Sequence, residues 1–87
     1  MRKYLVMAMR TPAFVDSVIE PHRDFLAKLL ADGALFESGK FTDGSGGAYV
    51  IFAENLTAAT ELVQQDPLHL TGSSELTVYE WEITVSA

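Results

Sequence analysis

Eighty-seven residues with no cysteine leave room for one domain, residues 1–87, and for no disulfide. A domain of this size buries only about 60% of its unfolded surface, so self-association into a homodimer or a larger oligomer is expected. Twelve Asp and Glu against six Lys and Arg give a formal net charge of −6, and Arg2, Lys3, Arg10, Arg23, Lys28 and Lys40 never cluster beyond a pair, which argues against a nucleic-acid partner. No apolar run approaches the ~20 residues of a membrane span, and Arg2 and Lys3 lead directly into an alternating stretch rather than a signal peptide. No membrane partner is expected, and the expected location is cytoplasmic.

Lys3 to Arg10 reads as a strand with Tyr4, Val6 and Ala8 on one face and Leu5, Met7 and Met9 on the other, both faces apolar enough for burial. Thr11 and Pro12 break it, and Ala13 to Glu20 fits either a loop or a short helical turn. Pro21 suits the first turn of a helix whose apolar stripe is Phe25, Leu26, Leu29 and Leu30 and whose stop is Asp32-Gly33. Ala34 to Phe41 and Ala48 to Glu54 read as an antiparallel pair of strands joined by the turn Asp43-Gly44-Ser45-Gly46. Asn55 or Thr57 caps a second helix that runs through Gln65 on the stripe Ala58, Ala59, Leu62 and Val63, with Asp66-Pro67 ending it. Leu76 to Val85 alternates as a last strand, with Thr77, Tyr79, Trp81, Ile83 and Val85 on one face and Glu80 and Glu82 on the other.

The order βαββαβ is that of a ferredoxin-like α+β fold, in which right-handed crossovers place both helices on one face of a four-stranded antiparallel sheet. The opposite face would then present an apolar surface larger than monomers usually tolerate, and pairing two sheets face to face, as half of a dimeric α/β barrel, covers it.

Strand direction also sorts the polar residues. If the first strand runs up, the upper end collects the start of the first helix with His22, the hairpin Thr42 to Gly47, and the end of the second helix with Asp66. His22 and Asp66 are therefore predicted neighbours. A helix amino terminus favours neutral imidazole and a carboxy terminus disfavours a carboxylate, so each would relieve the other at hydrogen-bond distance. A carboxylate that fixes the imidazole tautomer makes a general acid/base pair. In the competing reading His22 bonds only to nearby backbone and Asp66 merely terminates a helix.

Other patterns carry less. Gly44, Gly46 and Gly47 do not lead from a strand into a helix and no Lys-Ser or Lys-Thr pair follows, so they form a hairpin rather than a phosphate cradle. His22 and His69 lack metal-ligand spacing, so no metal is expected. Ser38, Ser45, Ser73 and Ser74 lack a nucleophile elbow. Tyr49, Phe52, Tyr79 and Trp81 make no cofactor signature and read as core or interface. Glu80 and Glu82 read as a solvated face able to pair with Arg10 or Lys3.

Pro21-His22, Phe25-Leu26 and Leu29, Asp32-Gly33, Ser38-Gly39, Asp43-Gly44 with Gly46-Gly47, and Asp66-Pro67 before Gly72 together resemble the YciI-like (YCII-related) domain family over nearly the whole chain. The resemblance implies a ferredoxin-like fold, a dimeric α/β barrel, and an enzymatic site centred on a His and an Asp, which map to His22 and Asp66. Family members include an enzyme that eliminates chloride from a chlorinated aromatic, and related barrels include isomerases and monooxygenases. The chain departs from the pattern at Lys40, where proline is common, and at Leu68, where an aromatic is common, both near the expected pocket.

The leading expectation is a small cofactor-independent enzyme in which His22 moves a proton, Asp66 orients it, and a small organic substrate is isomerised or undergoes elimination. Lys40 is assigned to an anionic group of the substrate, His69 to the pocket lining and Gly47 to the substrate-facing hairpin. The alternatives are a noncatalytic dimeric module that binds a small ligand or a partner protein, and a monooxygenase acting on haem or a quinol.

Overall fold

A computed structural model describes residues 1–87. Its strands are β1 (Arg2–Arg10), β2 (Leu35–Lys40), β3 (Gly46–Ala53) and β4 (Ser74–Glu80); its helices are α1 (Ile19–Ala31), α2 (Leu56–Val63) and α3 (Pro67–Leu70), with a 3₁₀ turn, Asp16–Val18, leading into α1. The sheet order is β2-β3-β1-β4 with every neighbouring pair antiparallel. This is the ferredoxin-like βαββαβ arrangement expected from the chain order, with the short helix α3 added before β4.

The segment Ala13 to Glu20 resolves into the 3₁₀ turn and the first residues of α1, which begins at Ile19, two residues before Pro21. Proline is harmless there, since the first turn of a helix has no intrahelical acceptor for its N–H. Glu20 in the first turn and Lys28 in the last both suit the helix dipole. Gly33, at φ 76, ends the helix in the left-handed region. Of the expected apolar stripe, Phe25, Leu26 and Leu29 face the core, whereas Leu30 points to solvent. The Asn55 side chain caps α2 by accepting from the Ala58 N–H at 2.8 Å. That helix stops at Val63 rather than Gln65, and the chain turns at once into α3.

Tyr4, Val6, Tyr49, Ile51 and Ala53 form the helix-facing side of the sheet and pack with Leu29, Leu35, Ala59 and Val63 in one buried cluster. A second cluster of Ala8, Val18 and Leu68, with Phe14 against it, lies at the other end of β1. On the opposite side of β1, Leu5 and Met7 are half-buried and Met9 is exposed. Val50, the partner of Leu5 on that face, is buried, with Trp81 close by, so the face is open in the single chain toward Met7, Met9 and Tyr79, where alternation suggests burial on both sides.

Two strands depart from the expected pattern, each for a geometric reason. Between Leu35 and Glu37 the β2–β3 register shifts by one residue, a bulge at Phe36. A bulge reverses which side chains face the helices, so Ser38 and Lys40 share the side of their partners Tyr49 and Gly47. The last strand ends at Glu80 instead of Val85, because its antiparallel partner β1 begins at Arg2 and the pairing runs out at Tyr4 and Glu80. A final bond from Trp81 N–H to the Lys3 carbonyl closes the ladder. Glu80 is paired with Arg2 at 3.3 Å, not with Arg10 or Lys3, and also accepts from the Tyr4 hydroxyl at 3.1 Å. No helix is long and apolar enough to cross a membrane.

Candidate active site

Strand register builds the floor of a cavity. Three transverse rows point toward the helices: Ser38, Tyr49, Val6 and Val78; then Lys40, Gly47, Ala8 and Leu76; then Arg10 and Ser74. In the middle row the two central positions are Gly47 and Ala8, so nothing taller than a methyl group rises there. No side chain is accommodated at Gly47, because a Cβ would strike the carbonyl oxygen of Gly39 on β2. Its neighbour Gly46, at φ 154, is held as tightly against the Ala8 carbonyl. Above this low row lies a cavity of about 330 Å³, walled by Ile19, His22 and Leu26 of α1 and by Phe14 and Leu68.

His22 occupies the first turn of α1, and its side chain is 19% exposed. Its Nδ1 lies 2.9 Å from Oδ1 of Asp66, a residue 44 positions away in sequence and fully buried. The same Oδ1 accepts from the Leu68 N–H at 2.8 Å, and Oδ2 accepts from the Tyr49 hydroxyl at 2.9 Å. Three donors thus converge on one carboxylate. Burial, and then the neighbouring Asp66 charge and hydrogen bond, push the Tyr49 phenol far above its ordinary range. Tyr49 therefore remains a donor, and Asp66 remains its acceptor. A carboxylate has no hydrogen to give, so the imidazole proton facing it sits on Nδ1 and the lone pair of neutral His22 is on Nε2.

The electrostatic setting of Asp66 differs from the one its sequence position suggests. It is not the negative end of α2. It is the N-cap of α3, with Pro67 as the first helical residue and the Leu68 N–H bonded to the side chain. The cap thus gives the buried side chain a backbone donor at 2.8 Å.

Lys40 and Gly47 line the cavity together with His22, and so does Leu68. His69 is not brought there: it lies exposed on α3, outside the lining. Tyr49 is the residue that aromatic spacing alone assigns to core or interface. Its register one row from Gly47, on the inward face of β3, is the signal that places its hydroxyl beside Asp66. Arg10 and Arg23 also line the cavity. No three His, Asp or Glu side chains are grouped so as to hold a metal ion.

A ferredoxin-like α+β domain with a cavity-lining imidazole backed by a buried carboxylate is the class that fold and site define. Residues 2–82 match the YCII-related domain. The chain is also 45% identical over 83 residues to the uncharacterized protein YjpA of Bacillus subtilis (strain 168), covering 95% of this chain and 98% of that one. The chain belongs to the YCII-related domain family. Among solved structures it is similar to 5-chloro-2-hydroxyhydroquinone dehydrochlorinase (TftG) from Burkholderia phenoliruptrix AC1100, in complex with 2,5-dihydroxybenzoquinone. That match has a TM-score of 0.71 at 19% identity and covers 92% and 93% of the two chains. It is also similar to At3g17210 from Arabidopsis thaliana, with a TM-score of 0.61 at 17% identity over 100% and 99% of the chains. At such identities the likeness is one of fold.

Proposed function

We propose that this protein is a small-molecule enzyme in which His22 is the proton-transfer group and Asp66 positions it. The observation that carries the reading is the 2.9 Å bond between His22 Nδ1 and the fully buried Asp66, with His22 on the cavity wall. With Nδ1 committed, Nε2 is the nitrogen left to meet a substrate. In the forward step Nε2 takes a proton from a C–H or O–H of the substrate, and the imidazolium that forms is stabilised by Asp66. The electron pair left behind moves into an adjacent carbonyl or expels a leaving group from the next carbon. In the first case His22 returns the proton elsewhere and the substrate is isomerised; in the second the proton passes to solvent and an elimination is complete. The activity named for TftG, dehydrochlorination, is an elimination and fits the second course. Neither course requires a cofactor.

The open sheet face supports a second part of the proposal, a homodimer. Leu5, Met7, Met9 and Tyr79 present an apolar surface with no helix over it, and a second copy placed face to face covers it.

The test is a substrate screen in D₂O with halogenated hydroquinones, enolisable keto acids and unsaturated lactones, followed by NMR. Wild-type protein is expected to accelerate deuterium incorporation or elimination for one of these classes, and His22→Gln to lose about 10²–10⁴-fold in rate. Turnover that survives His22→Gln unchanged overturns the assignment, and ligand binding without any chemical change favours a noncatalytic module.

A further inference from the structure

The lining of the cavity carries charge of one sign, with the Asp66 carboxylate buried behind His22 and Tyr49. Arg10, Arg23 and Lys40 line the cavity, half of the six Lys and Arg in the chain, whereas none of the twelve Asp and Glu belongs to its lining. They arrive from three elements, the end of β1, the first half of α1 and the end of β2, so the convergence is a product of the fold. Lys40 reaches this side of the sheet only because of the bulge at Phe36.

None of the three is neutralised within the chain. The ion pairs present are Arg2 with Glu80 and His22 with Asp66. Arg10 instead lies over the ring of Phe14, 4.0 Å from its centroid, which holds the guanidinium at the cavity while leaving it without a carboxylate. Lys3 and Lys28, outside the cavity, are unpaired as well, so what marks the cavity is the convergence of three cations on a lining that holds no acid. All three are exposed to solvent at the cavity, so an anion seated among them meets cations that have no ion pair to break. Phe14, Ile19, Leu26 and Leu68 supply apolar wall beside the polar Ser38 and Ser74, and about 330 Å³ is at the small end of ligand sites.

We infer that the cavity takes a small organic anion, an anionic oxygen group on an apolar body, with its charge against Arg10, Arg23 and Lys40 and its reacting atom at His22. The inference rests on the proton-transfer reading for the role of His22, but the anion preference stands on the three cations alone. It also adds a chemical consequence: negative charge that develops on a substrate oxygen as His22 removes a proton is met by fixed cations.

The experiment is an NMR titration of ¹⁵N-labelled protein with size-matched pairs that differ in charge, benzoate with benzamide and crotonate with crotonamide. At least one anion is expected to bind about tenfold or more tightly than its amide, shifting the amides of Ser38, Gly46 and Gly47. Its affinity should fall about tenfold in Arg23→Gln and in Lys40→Gln, weaken with added salt, and stay unchanged in Arg2→Gln, which removes a cation outside the cavity. If no anion outbinds its amide, or if Arg2→Gln weakens binding as much as Lys40→Gln, the inference is overturned. His22→Gln separates the two claims. Anion preference retained there, alongside turnover that does not depend on His22, defeats the proton-transfer reading alone. His22-dependent turnover of substrates without anion preference defeats this inference alone.

Discussion

The Tyr49 hydroxyl donates to Oδ2 of Asp66 at 2.9 Å, on the carboxylate oxygen opposite the one that faces His22. Both residues are buried, so neither can exchange this bond for one to water. The orientation of the imidazole is thereby tied to a residue of the central sheet.

Tyr49→Phe removes the donor while keeping the ring, leaving Asp66 Oδ2 buried and unpaired. A hydrogen bond to a charged group contributes about 1.5–3 kcal/mol, so urea denaturation at neutral pH should show a loss near 2 kcal/mol. The same variant has a pH signature. Burial and Asp66 raise the folded-state pKa of Tyr49 above that of the unfolded chain, so above about pH 10 the unfolded state loses a proton that the folded state keeps. Stability therefore falls with rising pH, by about 1.4 kcal/mol per unit from this group. Tyr4, whose phenol is also raised by burial and by its bond to Glu80, titrates in both proteins. The difference between wild type and Tyr49→Phe isolates Tyr49, and equal alkaline slopes would contradict the account.

Gly47→Ala tests the floor of the cavity. The added methyl must displace the Gly39 carbonyl of β2, and overpacking of this kind typically costs about 1–3 kcal/mol. Thermal unfolding should report the loss, and hydrogen exchange should show weakened protection at Ser38 to Lys40, with β1–β4 pairing unaffected. A variant as stable as wild type would show that strand approach does not require glycine there.

Analytical ultracentrifugation should find the protein at twice the chain mass, and Met7→Glu at the chain mass. Met7 lies on the open sheet face, away from the cavity, so the glutamate should leave the His22 and Tyr49 resonances in place. A wild-type monomer at every concentration would refute the face-to-face dimer.

Much of the fold is legible in the chain because its signals are local and agree with one another: alternation in β1, Pro21 and Gly33 around α1, and Asn55 before α2. Handedness of the crossovers then puts both helices on one face, and strand direction places His22 and Asp66 at the same end, although they are far apart in sequence. What escapes a linear reading depends on register. The Phe36 bulge, which turns Lys40 toward the cavity, has no residue pattern of its own. The hydroxyl of Tyr49 is visible only once its row across β3 and β1 is known. Asp66-Pro67 reads equally well as the end of one helix or the start of the next, and only the bond from the Leu68 N–H distinguishes them. His69 shares a short helix with Leu68, yet one residue of rotation leaves Leu68 on the cavity wall and His69 in solvent.

The central claim is that Asp66 holds His22 with its proton on Nδ1 and its lone pair on Nε2. A long-range ¹H–¹⁵N spectrum measures this directly, because the chain has only two histidines and His69 is exposed. The account predicts that neutral His22 is the Nδ1–H tautomer, with its Nδ1 proton protected from rapid solvent exchange, while His69 averages between tautomers. A His22 that is protonated on Nε2, or that averages as His69 does, would contradict it.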